Sequence, residues 1–377
     1  MHLDLRSWPP YRRLRALECR VAGRLRALEM RTGPWRTGLV VATAAMLLAC
    51  IYVRPTVQTT WAGRLLADLA RDPFPVGVSN VLGFRILTPL ISYIVGLRGE
   101  GIVITNLFFV WLLLVIVYPQ LRSARVSPYY AALGTLALVL SAPNLTVIYY
   151  SEGNDALAHL LLAVAYFQRR RAWGLWGCFA LSLFNREAAL FMLPWLMYLR
   201  LRERGWGTAY VFELLAALVP CFVGYMLFRD WMGGRIHVQQ DLGHYLGPIL
   251  NYPLEIWRLT FGYQWLGWLS VFKSMWIVPA FAFVWSRRSH DVAWRNSSLI
   301  LVVCVYAQFF LAWDATRLLS MAFPLMFMAW EVLFPHNRFN VKHWVAPCFI
   351  VSLTVPNLYV SRDIIEMMHG ALQAILT

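Results

Sequence analysis

The stretch Gly101–Tyr118, GIVITNLFFVWLLLVIVY, decides the fold class because it runs for 18 residues without a charged side chain. A helix needs about 20 mostly apolar residues to cross the hydrocarbon core of a bilayer. Two more uncharged runs, Gly38–Val53 and Leu299–Trp313, approach that length. Alternating segments of about ten residues, which would indicate a membrane barrel, are absent from the sequence. The sequence therefore predicts an all-α fold, a polytopic transmembrane helical bundle.

The composition of the whole chain agrees with a lipid environment. Of its 377 residues, 59% are hydrophobic and only 14% are charged. A soluble domain of this length cannot bury so much apolar surface. The six cysteines are dispersed and lack Cys/His ligand spacing, so neither a disulfide framework nor a zinc site is predicted. We expect one membrane domain and no cofactor, although the sequence leaves a divalent cation open.

Residues 1–36 form a separate, strongly basic segment. Nine of the chain's 34 basic residues lie here, and the hexamer RLRALE occurs twice, at Arg13–Glu18 and Arg24–Glu29. An apolar stripe at helical spacing accompanies the arginines: Leu14, Leu17, Val21, Leu25 and Leu28. This pattern predicts a helix lying on the anionic cytoplasmic leaflet. An arm that binds nucleic acid is the weaker interpretation, and no nucleic-acid partner is predicted.

Basic residues near the ends of membrane spans favour the cytoplasmic side. This rule decides whether Ile86–Leu97 is predicted to span the membrane. If that segment spanned the membrane, the later arginine clusters would all lie outside, so we place it along the outer interface. The predicted domain, residues 37–360, then has outer loops at 54–99 and 229–268 and an outer tail at 361–377. About eleven spans result: 37–53, 101–118, 128–148, 155–168, 172–185, 188–199, 209–228, 269–285, 298–313, 317–334 and 344–360. The N-terminus is cytoplasmic.

In this predicted topology, polar residues collect in the turns that face away from the cytoplasm. Ionisable groups at membrane depth are costly and commonly line a cavity or a substrate path. The predicted substrate-binding residues are Arg85, Asn154, Asp155, Arg186, Glu187, Asp314 and Arg317. Plainer interpretations stay open: an internal Arg186–Glu187 pair, a helix cap at Asp155, and for Arg85 and Arg317 interfacial snorkelling or pairing with Glu187 or Asp314. Guanidinium groups also suit phosphate oxygens.

The first outer loop supplies the candidate general base. Asp68 and Asp72 lie in this loop, and either carboxylate can accept a proton from an acceptor hydroxyl. Both are equally interpretable as solvated loop charges. In the second long loop, His237 and His244 with Asp241 match no metal-site spacing, so no metal site is predicted.

Four stretches in order carry a resemblance to a known family. They are FRILTPL (84–90), EGNDALAHLLLA (152–163), ALSLFNREAALFMLPWL (180–196) and WDATRLLSMAFPL (313–325). With the predicted topology, they make the chain resemble the GT-C superfamily of multi-spanning membrane glycosyltransferases, in particular mannosyltransferase-like and arabinofuranosyl-like bacterial proteins. Relatives often place an acidic residue immediately after the first span, whereas this chain has Arg54-Pro55-Thr56 there.

The resemblance implies a transferase of the bacterial plasma (inner) membrane and cell envelope. It would move a sugar from a polyprenyl-phosphate carrier to a glycan or lipid acceptor on the periplasmic or extracellular face. The family's catalytic carboxylates lie in the first outer loop, which corresponds here to the region of Asp68 and Asp72. The alternatives are a secondary transporter or flippase for a lipid-linked or anionic substrate, a non-catalytic GT-C-like subunit, and a polymerase of lipid-linked oligosaccharides.

Overall fold

The structure is a computed structural model of the 377-residue chain. It describes residues 9–53, 55, 61–80, 82–151, 153–236, 255–310, 314–334, 341–360 and 365–368. Within these ranges the regular secondary structure is helical apart from one short strand pair. His237, Asp241 and His244 lie outside the described residues.

The α-helices of the described residues are numbered in chain order. They are α1 (Pro9–Tyr52), α2 (Trp61–Arg71), α3 (Leu87–Ile94), α4 (Ile102–Ser123), α5 (Pro128–Val139), α6 (Ala142–Tyr149), α7 (Asp155–Phe167), α8 (Ala172–Asn185), α9 (Ala189–Arg204), α10 (Thr208–Ile236), α11 (Glu255–Phe272), α12 (Ile277–Arg288), α13 (Val292–Ala307), α14 (Ala315–Ser320), α15 (Pro324–Leu333) and α16 (Val341–Thr354). Short 3₁₀ turns occupy Gly99–Gly101, Lys273–Trp276 and Gln308–Phe310. The strands are β1 (Leu358–Val360) and β2 (Ile365–Met367).

Five helical segments of the described chain are long and apolar enough to cross a membrane, which indicates an integral membrane protein. They are Ala16–Tyr52, Gly99–Ser123, Thr208–Ile236, Phe261–Arg288 and Ala315–Leu333. Helices α5 and α6 form a sixth if the pair, bent by 48°, is one span. The all-α prediction agrees with this architecture, whereas the detailed topology of about eleven spans stays a prediction. The segment placed along the interface forms only the eight-residue α3.

Helix α1 breaks at Gly33, close to the predicted boundary after residue 36. The break has φ 78° and ψ 166° and is followed by Pro34. A positive φ favours glycine, and proline lacks the N–H that would continue the helical hydrogen bonding. The basic N-terminal helix and the membrane-crossing helix that follows are therefore two arms of α1.

The second arm of α1 packs closely against α4 because its inner face carries small residues. Ala42, Ala45 and Ala49 are fully buried. At Gly38 a Cβ atom would lie 3.1 Å from Cδ of Pro119 in α4. Small residues let helix backbones approach in an apolar solvent, where packing contacts drive association. Helix α4 also contacts α5 and α7, so it lies at the centre of the bundle.

The C-terminal region differs from its predicted span at 344–360. Helix α16 ends at Thr354, and β1 pairs with β2 in antiparallel register, Leu358 opposite Met367. Pro356 and Asn357 follow the helix end, and the residue before a proline disfavours helical backbone. Residues 365–367, assigned to the tail from the sequence, therefore pair with residues 358–360 and add a two-stranded sheet to the helical bundle.

Candidate functional site

Asp155 is the centre of a charge cluster at one end of the bundle, which we call the site end. Its carboxylate accepts hydrogen bonds from Nη1 of Arg186, at the end of α8, and from Nε of Arg317, in α14, at 2.6 Å to Oδ2. Asp155 and Arg186 are almost fully buried. Two guanidinium partners offset the cost of removing this carboxylate from water. Asp155 is the first residue of α7, and Asn154 occupies the cap position, so the capping interpretation does not hold.

Glu187 forms the second part of the cluster. Its Oε2 atom lies 2.9 Å from Nε of Arg85, and its Oε1 atom lies 4.0 Å from Nη1 of Arg229. The Arg229 guanidinium also stacks over the ring of Phe84, 4.3 Å from its centroid. Arg186 thus pairs with Asp155 at the start of α7, whereas its neighbour Glu187 pairs with Arg85 and Arg229. The structure therefore does not contain the internal pair considered from the sequence.

Buried amides fix the turns that carry these charges. Nδ2 of Asn154 donates to the backbone oxygen of Asn185, and Nδ2 of Asn185 donates to the backbone oxygen of Asn154 at 2.8 Å. Thr88 of α3 donates its hydroxyl to Oδ1 of Asn185 at 2.6 Å. Both asparagines and Thr88 are buried. This network orders the α6–α7 turn, the α8–α9 turn and α3 relative to one another.

Asp314 connects the cluster to the C-terminal strands. Its Oδ2 atom lies 3.4 Å from Nη1 of Arg317 and accepts a hydrogen bond from the Tyr359 hydroxyl at 2.9 Å. Thr316 strengthens the connection, since its hydroxyl accepts the backbone N–H of Val360 at 2.7 Å. The β1 strand is therefore held against the start of α14.

The carboxyl groups of Glu187 and Asp314, which both lie in turns, have pKa values shifted in opposite directions. Burial raises the pKa of the Glu187 carboxyl, but the charges of Arg85 and Arg229 outweigh burial and lower that pKa below its ordinary value. At Asp314, burial dominates and raises the pKa, although the charge of Arg317 opposes it. Asp314 therefore holds a proton to a higher pH than an ordinary aspartate does, whereas Glu187 loses its proton at a lower pH than an ordinary glutamate does.

A cavity of about 300 Å³ opens beside the cluster. Its wall contains both polar and apolar residues: Ala62, Gly63, Leu66, Leu82, Arg85, Thr146, Val147, Tyr150, Gly153, Asn154, Asp155, Arg317 and Tyr359. The Arg85 and Arg317 side chains remain 30% and 26% exposed, whereas Asp155 is 8% exposed. Both arginines therefore present part of their guanidinium groups to this space.

Two features of the cavity point to a polar, anionic ligand. Among the described residues that line the cavity, two are positively charged and one is negatively charged: Arg85 and Arg317 against Asp155. In addition, Oγ1 of Thr146 and Oδ1 of Asn154 are buried and have no hydrogen-bond partner among the described residues. Buried polar atoms are normally paired, so both suit contacts to a ligand or to water.

The candidate bases lie apart from this cluster. Asp68 is 59% exposed and pairs with Arg71, whose Nη1 atom lies 2.9 Å from its Oδ1 atom. Oδ1 of Asp72 accepts the backbone N–H of Phe74 at 3.1 Å. The face of α2 that lines the cavity carries Ala62, Gly63 and Leu66 instead. The structure brings together all seven predicted binding residues but not Asp68 or Asp72, whose catalytic role stays a prediction.

Sequence reasoning missed the aromatic wall of the cavity. The Tyr150 and Tyr359 rings lie 4.7 Å apart between centroids, and Glu366 of β2 accepts the Tyr149 and Tyr150 hydroxyls at 2.8 and 2.6 Å. Tyr150 lies in a turn that the sequence had singled out. Tyr359 was assigned to a span, although Pro356 just before it signals a helix end.

No group of three or more His, Cys, Asp or Glu side chains within the described ranges is arranged to hold a metal ion. Comparison with protein-family models, with curated proteins and with solved structures finds no match for this chain.

Proposed function

We propose that the chain is an integral membrane glycosyltransferase that transfers a sugar from a polyprenyl-phosphate carrier to a glycan or lipid acceptor. One observation carries the proposal: the cavity at the site end combines partly exposed guanidinium groups with an apolar wall and two tyrosine rings. A lipid-linked sugar phosphate has these same three parts. The proposal also accords with the GT-C resemblance of the four sequence stretches.

Each part of the donor has chemically matching residues in the wall of the cavity. The phosphate would lie against Arg85 and Arg317, whose planar groups bind phosphate oxygens in pairs. The polyprenyl chain would follow Leu66 and Val147 towards the lipid. The sugar would contact the Tyr150 ring and the unpaired polar atoms of the wall, since tyrosine offers an apolar ring face with a polar tip.

The transfer breaks the bond between the anomeric carbon and the phosphate oxygen and forms a bond from that carbon to the acceptor oxygen. The polyprenyl phosphate leaves with its negative charge stabilised by the two arginines. The acceptor proton passes to a carboxylate. Asp68 and Asp72 are the proposed bases from the sequence, and Asp314 is a third candidate because Tyr359 connects it to the cavity.

The orientation belongs to the same proposal. The site end would face the periplasm or the outside of a bacterial plasma membrane, with the N-terminus in the cytoplasm and about eleven spans between them. No resident metal or cofactor is proposed. In this arrangement the donor phosphate lies at headgroup depth, beside the guanidinium groups of Arg85 and Arg317 in the cavity wall.

The test is transfer by the purified chain from a panel of polyprenyl-phosphate sugars, with the released polyprenyl phosphate measured by mass spectrometry. Arg317→Gln should reduce the rate at least about 100-fold, as loss of an oxyanion-stabilising donor does. Asp68→Asn, Asp72→Asn and Asp314→Asn identify the base, since removing it costs about 100-fold or more.

Two results would overturn the proposal. In one, no donor in the panel is cleaved. In the other, the chain moves intact donor between leaflets of a vesicle, which would favour a flippase. If cleavage depends on Asp314 alone, the transferase stands and the assignment of the base to the first loop is wrong.

A further inference from the structure

The repeated hexamer of the N-terminal helix has a structural role at the end of the bundle opposite the site. Glu18 and Glu29 end the two RLRALE copies and are eleven positions apart. Eleven residues are close to three turns of an α-helix, so both carboxylates lie on one face. The repeat therefore gives this helix a glutamate face.

The glutamate face docks on the bundle. Glu29 accepts the Tyr118 hydroxyl at 2.6 Å, and its Oε1 atom lies 2.8 Å from Nη2 of Arg122. Glu18 accepts the Tyr130 hydroxyl at 2.7 Å. These contacts reach the end of α4 and the start of α5, so they hold the helix in a defined orientation.

The opposite face carries only basic and apolar groups. Arg20, Arg24 and Arg31 are exposed there at helical spacing, beside Leu17, 57% exposed, and Val21, 37% exposed. Residues 16–36 contain no acidic residue other than Glu18 and Glu29. The apolar stripe expected from the sequence is thus divided, because Leu25 packs against the core.

The position of this face relative to the membrane follows from chain continuity. The helix joins the first spanning segment at the Gly33 break, where Trp35 is 56% exposed and Arg36 is exposed. Exposed tryptophan and arginine at the start of a span are typical of the headgroup region. The arginine face is therefore held near the surface of the adjacent leaflet, within reach of its charges.

We propose that this face, formed by Arg20, Arg24 and Arg31 with Leu17 and Val21, is a docking surface for anionic phospholipid headgroups. The arginines pair with lipid phosphates, and the two aliphatic side chains enter the headgroup boundary. The glutamate contacts present this surface in one orientation, so the helix does not need to be ordered by the lipid. The inference is independent of the proposed transferase activity.

The test uses the full chain with an environment-sensitive dye on Val21→Cys, in a Cys19→Ser background because Cys19 is exposed. The protein is reconstituted in nanodiscs of phosphatidylcholine alone or with about 30% phosphatidylglycerol. Quenching by neutral acrylamide should fall about threefold with the anionic lipid, as the dye enters the boundary. Salt at about 1 M should reverse the effect, because it shortens the screening length to about 3 Å.

Two triple variants carry the same change in charge. R20Q/R24Q/R31Q should abolish the lipid effect, whereas R171Q/R287Q/R288Q, at exposed arginines of other helix ends, should retain it. Equal quenching in both membranes overturns the proposal. So does a lipid effect that survives R20Q/R24Q/R31Q, or that both triple variants lose equally. Gel filtration checks that each variant remains folded.

Discussion

Replacing Asp155 by Asn is the sharpest perturbation of the charge cluster. The change keeps the size of the side chain and one oxygen acceptor, but it removes the charge that both Arg186 and Arg317 contact. Arg186 is as deeply buried as Asp155, so its charge would lose its closest counter-ion. Removing one partner of a buried pair costs about 3–5 kcal/mol of unfolding free energy. We expect Asp155→Asn to fall in this range.

The assay is equilibrium unfolding in mixed micelles by a denaturing detergent, followed by circular dichroism. Asp68→Asn is the matched control, since its exposed pair with Arg71 should change the unfolding free energy by only about 0.5 kcal/mol. The double variant D155N/R317Q should lose less than the sum of the single losses, because the two side chains touch. A loss below about 1 kcal/mol for Asp155→Asn would refute the reasoning that this carboxylate neutralises buried arginines.

Three further predictions concern separate parts of the fold. The pair of Glu187 with Arg85 lowers the Glu187 pKa from 4.5, so the stabilisation from this pair should be complete above pH 4.5 and disappear as the pH falls through the lowered pKa. The unfolding midpoints of wild type and Glu187→Gln should therefore converge in acid. A constant difference between the two midpoints would contradict this. Glu366→Gln should weaken the contact with Tyr150 and speed amide hydrogen exchange in residues 358–360, while unchanged exchange would mean that the contact does not hold the strands. Gly33→Ala should lower the unfolding free energy by about 1–3 kcal/mol, because a φ of 78° with a ψ of 166° is essentially confined to glycine, and an unchanged unfolding free energy would exclude that backbone conformation.

The fold class and the residues of the charge cluster could be predicted because both depend on local composition. Uncharged runs of membrane length define helices by themselves. Polar turns between apolar helices must lie at the ends of the bundle, so Asp155, Arg186 and Arg317 were identifiable before their pairing was known. The pairing itself was not predictable. Neighbours such as Arg186 and Glu187 bind different loops, and that choice depends on tertiary packing.

The remaining features arise from long-range contacts that no local pattern specifies. Tyr359 and Glu366 reach the cavity only because the chain reverses after α16, and only Pro356 signalled that reversal. The orientation of α2 was equally hidden. Its exposed side carries Asp68, while Leu66 faces the cavity, and sequence reasoning favoured the carboxylate because of its chemistry.

The proposed binding of a lipid-linked phosphate in the cavity at the site end can be tested by photo-crosslinking. A polyprenyl phosphate with a photoreactive group near the phosphate would be irradiated with the reconstituted chain, and the labelled peptides mapped by mass spectrometry. We expect crosslinks at Leu66, Leu82 and Val147, with loss of labelling in Arg85→Gln/Arg317→Gln. Crosslinks confined to the opposite end, around Tyr166 and Leu199, or labelling that the double substitution leaves unchanged, would contradict it.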